Sequence, residues 1–452
     1  MTRRAQHSMD PRDAPTGAAS PTPGLVRALS RWDLVAIGIN QVIGGAIFLI
    51  PSKVATPIGA WAPWFFVAIG VASLLVALCF AEVGSRFEGT GGPYLYTRAA
   101  FGDFVAFEVG WMQWFTRVAS QASVVNGIAL ALGQYWDGAA AGPARIAILS
   151  AITLLLAWIN HRGVRLGSLV VNVLTIGKLV PLAVFIAIGL FAADFGRLSP
   201  LPAIDAQQAS TAALLLIFAF GGFDVISVPA GEARDPRRDI PFAFIATIVA
   251  VTSIMTLGQV VTQTVLDDVT ASRTPMADAA GVFLGPLGVA MITIGSIVSM
   301  TGNNAGQVLT GSRMLFALAE NRALPAFFAR IHPRHRTPSN AVWFTAAVAL
   351  VLAVSGSFEQ LAVASAVARL VTYTGACAAM LALRGPRFAA TVPPAVFAVP
   401  GGALVPVLAI LVSLLILVGA DRQQLLGGAY ALAAGALLFA VARRASGRNP
   451  TA

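Results

Sequence analysis

The chain has 452 residues, 57% of them hydrophobic and only 11% charged, with a mean hydropathy of +0.77. A soluble protein carries about a quarter charged residues, so a single core in water is excluded. Apolar runs of about 20 residues recur along the whole length and indicate membrane-spanning helices. The net charge of +10 is almost all arginine, with Lys53 and Lys178 the two lysines, which points to basic cytoplasmic loops and away from nucleic-acid binding.

Residues 1–30 are rich in Pro, Ala, Ser and Arg and read as a disordered cytoplasmic tail. They hold no apolar core of their own, so they are not a cleavable signal peptide. Twelve spans are predicted, at 34–51, 62–84, 102–136, 142–160, 166–191, 211–231, 240–264, 284–318, 340–356, 360–384, 396–419 and 424–443. The third and eighth exceed a bilayer's thickness and are expected to tilt or project beyond it. Arginines cluster in alternate connections: Arg86 and Arg98; Arg162 and Arg165; Arg234, Arg237 and Arg238; Arg322, Arg330, Arg334 and Arg336; Arg384 and Arg387; and Arg443, Arg444 and Arg448 in the tail. The other connections hold few positive charges, so both termini are expected in the cytoplasm, with the chain in the cytoplasmic (inner) membrane. Cys79 and Cys377 lie in apolar runs and read as small packing residues, not as a disulfide or metal pair.

The first span, LVAIGINQVIGGAIFLIP, carries Asn40 and Gln41 next to the pair Gly44-Gly45 at its centre. Glycine is a poor helix former, so this pair predicts a helix that opens its backbone in mid-membrane. Backbone groups freed there must face protein, ligand or water. The sixth span has the same interruption at Gly221-Gly222, followed by Pro229. Two interrupted helices five spans apart, in alternating topology, belong to inverted halves, the pattern of a transporter with its site at the two breaks.

Four stretches resemble the amino acid–polyamine–organocation family of permeases. They are VIGGAIFLIP at Val42–Pro51, AEVGSRFEGTGGPYLYTRAAFG at Ala81–Gly102, FAFGGFDVISVPAGEARDPRRDIP at Phe218–Pro241, and SRMLFALAENRALP at Ser312–Pro325 followed by HPRHRTP at His332–Pro338. The resemblance implies an all-α, LeuT-like fold of two inverted five-helix repeats, here 31–191 and 210–385, with two further helices at 395–444. The family's first break commonly reads Gly-Ser-Gly. This chain has Gly44-Gly45-Ala46, which lacks the serine hydroxyl.

An amino acid brings a carboxylate and an ammonium, and both must be satisfied in a low-dielectric interior. The amides of Gly44, Gly45 and Ala46, at the start of a half-helix, suit the carboxylate. Carbonyls near Phe218, Ala219 and Gly221 suit the ammonium. The expected binding set is Gln41, Ile43, Gly44, Gly45 and Ala46 at the first break, and Phe218, Ala219, Phe220, Gly221 and Gly222 at the second. The resemblance makes Phe218 an aromatic gate.

Lys178 is the sole lysine within a span. A buried ammonium costs several kcal/mol unless paired. By resemblance to proton-coupled permeases, it stands in for a coupling cation by taking and releasing a proton. Asp224, also within the bilayer, either joins the proton route or pairs with an arginine. Arg117 and Arg369 are read as structural pairs whose charge argues against a cationic substrate. Ser299, Thr301, Asn303 and Asn304 form a polar patch, part of which approaches Lys178. Histidines His161, His332 and His335 fall in loops without metal spacing, and no cofactor motif or enzyme site appears.

The expected function is proton-coupled symport of a neutral amino acid by a monomer or homodimer. The alternatives are an amino acid or polyamine antiporter and a non-transporting amino acid receptor.

Overall fold

The computed structural model describes residues 29–88, 91–133, 135–162, 164–228, 230 and 233–445, of which 164–176 and 445 are described as backbone only. The tail to residue 28 with His7, the predicted interruption at Pro229, Gly89, Thr90, Gly231 and Glu232 of the motifs, and Arg448 lie outside the described residues. So does the side chain of Arg165.

The described chain is helical, and no strand of a sheet occurs among the described residues. In order the helices are α1 (Arg31–Val42), α2 (Ala46–Ile58), α3 (Ala62–Gly84), α4 (Pro93–Phe101), α5 (Asp103–Leu132), α6 (Gly142–Arg162) and α7 (Val164–Gly189). There follow α8 (Ala206–Ala219), α9 (Pro236–Val265), α10 (Pro275–Glu320), α11 (Ser339–Ser355), α12 (Phe358–Leu383), α13 (Leu404–Val418) and α14 (Arg422–Ala445). Seven helical stretches among the described residues are long and apolar enough to cross a membrane.

Local chemistry sets several of these ends. Capping boxes start α1 (Ser30 with Asp33), α8 (Asp205 with Gln208) and α12 (Ser357 with Gln360). The predicted first span stops at Pro51, but α2 continues to Ile58 with Pro51 and Pro57 inside it. A proline forfeits one intrahelical bond, and here packing carries the helix past it, since Leu49, Ile50, Val54, Ala55 and Ile58 are all buried. The eighth predicted span starts at residue 284, but α10 begins at Pro275 and bends at Gly285 (φ 62°, ψ −154°).

α5 forms the centre, packed against both α10 and α12. The first broken segment (α1, α2) lies beside the sixth (α8 and a 3-10 turn at Phe223–Ser227). α1 packs on the turn and α2 on α8, so the two broken segments run antiparallel. The arginine-rich connections gather at one end. There Arg237 donates to Ser85 O (3.0 Å), Arg384 Nε to Glu82 Oε1 (2.7 Å), Arg98 to Asn321 (2.9 Å) and Thr337 to His161 O (2.8 Å). At the other end Arg145 donates to Gly356 O (2.7 Å) and Arg197 to Asp267 (2.6 Å).

Candidate functional site between the two helix breaks

α1 closes at Val42, with the Ile43 amide donating to Ile39 O at 2.8 Å and the Gly44 amide turning back to Val42 O at 2.8 Å. α2 opens at Ala46. The amides of Gly45 and Ala46 find no acceptor among the described residues, as befits the first residues of a helix. They present the positive end of its dipole. Four carbonyls of the same break, those of Asn40, Gln41, Ile43 and Gly44, are held by side chains of other helices. Lys178 Nζ donates to Asn40 O (2.7 Å), Asn40 Oδ1 (2.5 Å) and Ile43 O (2.7 Å). Ser299 Oγ donates to Gly44 O at 2.9 Å, and Asn303 Nδ2 to Gln41 O at 2.7 Å. The first break therefore spends its acceptors on α7 and α10 and leaves donors open, which suits an anion.

The second break has the opposite character. α8 ends with the Phe220 amide on Leu216 O (2.8 Å) and the Gly221 amide on Phe218 O (3.1 Å). The chain then turns through Gly222 at φ +123°, a backbone that side chains resist. The carbonyls of Ala219 and Gly221 receive no donor among the described residues.

Of the predicted residues, Gln41, Gly44, Gly45, Ala46, Phe218 and Gly221 line one cavity between the breaks. Its volume is about 20 Å³, on the order of one water molecule, so an amino acid enters only when the walls part. Phe218 stands edge-on to Phe358, ring centroids 6.0 Å apart. Phe220 turns away onto Phe66, with centroids 6.3 Å apart. Ile43 contributes its carbonyl to Lys178, and Gly222 backs onto the first break, where a Cβ would lie 2.6 Å from Gln41 O. Ala219 is buried without lining the cavity. Thr301 bonds within its own helix, to Ile297 O at 2.8 Å.

Asp224, Arg117 and Arg369 are each 2% exposed and form one ionic cluster behind the second break. Arg117 Nη2 pairs with Asp224 Oδ2, to which Gln113 Nε2 also donates at 3.1 Å. Arg369 Nη1 lies 3.3 Å from Oδ1. Asp224 thus pairs with both arginines. Arg369 also lines the cavity, as do Ser120, Val124 and Gln307, which the sequence reading did not single out. The polar residues Ser120 in α5 and Gln307 in α10 were the available signal, and Val124 carried none.

His161, expected in a loop, lies in the last turn of α6, where it meets the loop residues His332 and His335. Rings of His161, His332 and His335 sit 4.8 to 5.1 Å apart at the arginine-rich end. His332 Nδ1 accepts the amides of Arg334 (3.3 Å) and His335 (3.2 Å), which orders the turn.

Comparison with known proteins identifies the family. The family model described as amino acid permease matches residues 29–439. The chain is similar to the serine/threonine exchanger SteT of Bacillus subtilis, at 28% identity over 80% of this chain and 84% of that one. It is also similar to the branched-chain amino acid permease BcaP of the same organism (26%, covering 88% and 89%) and to its methylthioribose transporter (27%, covering 81% and 83%). The chain is a multi-pass membrane transporter and belongs to the amino acid permease family.

Proposed function

We propose that the chain is a secondary active transporter that carries an amino acid across the cytoplasmic membrane by alternating access, with protons as the coupling ion. In this reading twelve spans form two inverted five-helix repeats, 31–191 and 210–385, followed by two helices at 395–444, with both termini cytoplasmic. The observation that carries it is the pairing of open amides at Gly45 and Ala46 with the undonated carbonyl at Gly221, on breaks that pack together. Such a site takes the carboxylate at one break and the ammonium at the other without an ionised side chain.

Lys178 is the coupling group. Its ammonium sits on Asn40 and Ile43, so a proton leaving it frees carbonyls at the break and loosens the junction of α1 with α7. Gain or loss of one proton thereby biases a two-state element.

Purified protein in liposomes should accumulate a labelled amino acid when the lumen is made alkaline, and should lose that uptake when a protonophore collapses the gradient. Uptake that requires internal amino acid and ignores the pH gradient would establish exchange instead, the reading favoured by the likeness to a serine/threonine exchanger. Binding without accumulation or exchange would mark a receptor.

A further inference from the structure

The ionic cluster behind the second break does not balance. Two guanidiniums, Arg117 and Arg369, share the single carboxylate of Asp224, and no other acidic side chain among the described residues pairs with either. Arginine stays protonated in proteins, so the cluster carries one net positive charge with all three side chains 2% exposed. An uncompensated buried charge is among the costliest features of a protein interior.

The surplus is located on Arg369. The Asp224 oxygen nearer Arg117 also takes Gln113. Arg369 has a 3.3 Å contact to the other oxygen and a 3.3 Å bond to Ser120 Oγ. Its Nε is buried without a well-formed hydrogen bond, and the nearby Tyr373 hydroxyl is likewise unbonded. The guanidinium lies directly on Gly221, where a side chain of any size would collide with it, and it lines the cavity with Gly44, Gly45 and Phe218. A purely structural latch would have its donors satisfied and its charge cancelled. This one keeps an open donor and a spare charge in the wall of the site.

We infer that the substrate is an amino acid with an anionic side chain, of the glutamate or aspartate type, and that Arg369 is the residue that selects it. This rests on the reading that the amino acid binds between the breaks. Its main-chain carboxylate takes the open amides of the first break, its ammonium the free Gly221 carbonyl of the second, and its side-chain carboxylate the Arg369 guanidinium. The net charge of such a substrate is −1, which cancels the cluster's surplus. A neutral side chain, the expectation from sequence, leaves that surplus in place, and a cationic one doubles it.

The test is equilibrium binding to the purified full-length protein, with L-glutamate and L-aspartate set against the near-isosteric L-glutamine and L-asparagine, and with L-serine, L-leucine and L-arginine as further probes. The acids should bind at least about tenfold tighter than their amides, the worth of one charge-assisted hydrogen bond. Arg369→Gln should bring acid and amide to within about threefold of each other by removing that bond, and Arg369→Lys should keep part of the preference. If glutamine binds as well as glutamate to the unaltered protein, Arg369 is a latch and the inference falls while the transport reading stands. If none of these amino acids binds, the site itself has been misplaced and both fall. The wild-type comparison decides the matter even if the variants do not fold.

Discussion

Gly222 and Gln41 touch backbone to backbone: a Cβ on Gly222 would stand 2.6 Å from the Gln41 carbonyl oxygen and 2.8 Å from its carbon. The two interrupted helices are therefore separated by no side chain at this point. That contact is what brings donors from one break and acceptors from the other within reach of one small molecule.

Gly222→Ala should be damaging on two counts. The backbone at φ +123° is strained for any side chain, at about 1–3 kcal/mol, and the new methyl would push the breaks apart. We expect a lower Tm in detergent together with at least a tenfold loss of amino acid affinity. A variant that matched the parent in both measurements would show that the breaks need not touch.

Gly45→Leu acts on the opposite wall. A Cβ there already lies 2.8 Å from Met300, on α10, so the larger side chain must turn into the cavity or displace α10. Binding should be abolished under conditions where the parent saturates. Near-normal affinity by isothermal titration would place the site elsewhere.

Lys178→Ala removes the donor to Asn40 O, Asn40 Oδ1 and Ile43 O. Uptake driven by a pH gradient should vanish, while some binding survives, because Ser299 and Asn303 still hold the break through Gly44 O and Gln41 O. Unchanged accumulation in this variant would falsify the coupling role.

Asp224→Asn leaves two buried guanidiniums with no counter-charge. Breaking a buried pair from one side costs about 3–5 kcal/mol, so the variant should unfold at a clearly lower temperature. Adding Arg117→Gln removes one of the stranded charges and should recover part of the loss. A double variant less stable than the single one would contradict the charge-balance account of this cluster.

Much of this protein is legible along the chain. The apolar runs fall on helices or a broken pair of helices, because an apolar run in a membrane has only one way to satisfy its own backbone. Gly44-Gly45 and Gly221-Gly222 mark the interruptions because glycine is the residue a helix holds least well and a turn needs most. Lys178 stood out as the one lysine in a span, and the structure puts its ammonium on the first break. Helix ends were less legible: α2 runs through Pro51 because its flanking residues are buried on neighbouring helices, a fact no local rule contains.

What the linear chain could not decide is which side chains meet. Phe218 and Phe220 look alike in sequence, yet the turn of α8 sends one to the cavity and the other onto Phe66. Arg117, Asp224 and Arg369 come from three elements that are 107 and 145 residues apart, and only their convergence reveals that two cations share one anion. Composition and spacing determine that the backbone must open in the membrane, since that follows from the chemistry of neighbouring residues. The charge left over at the opening is a sum over distant residues, and it exists only once packing has brought them together.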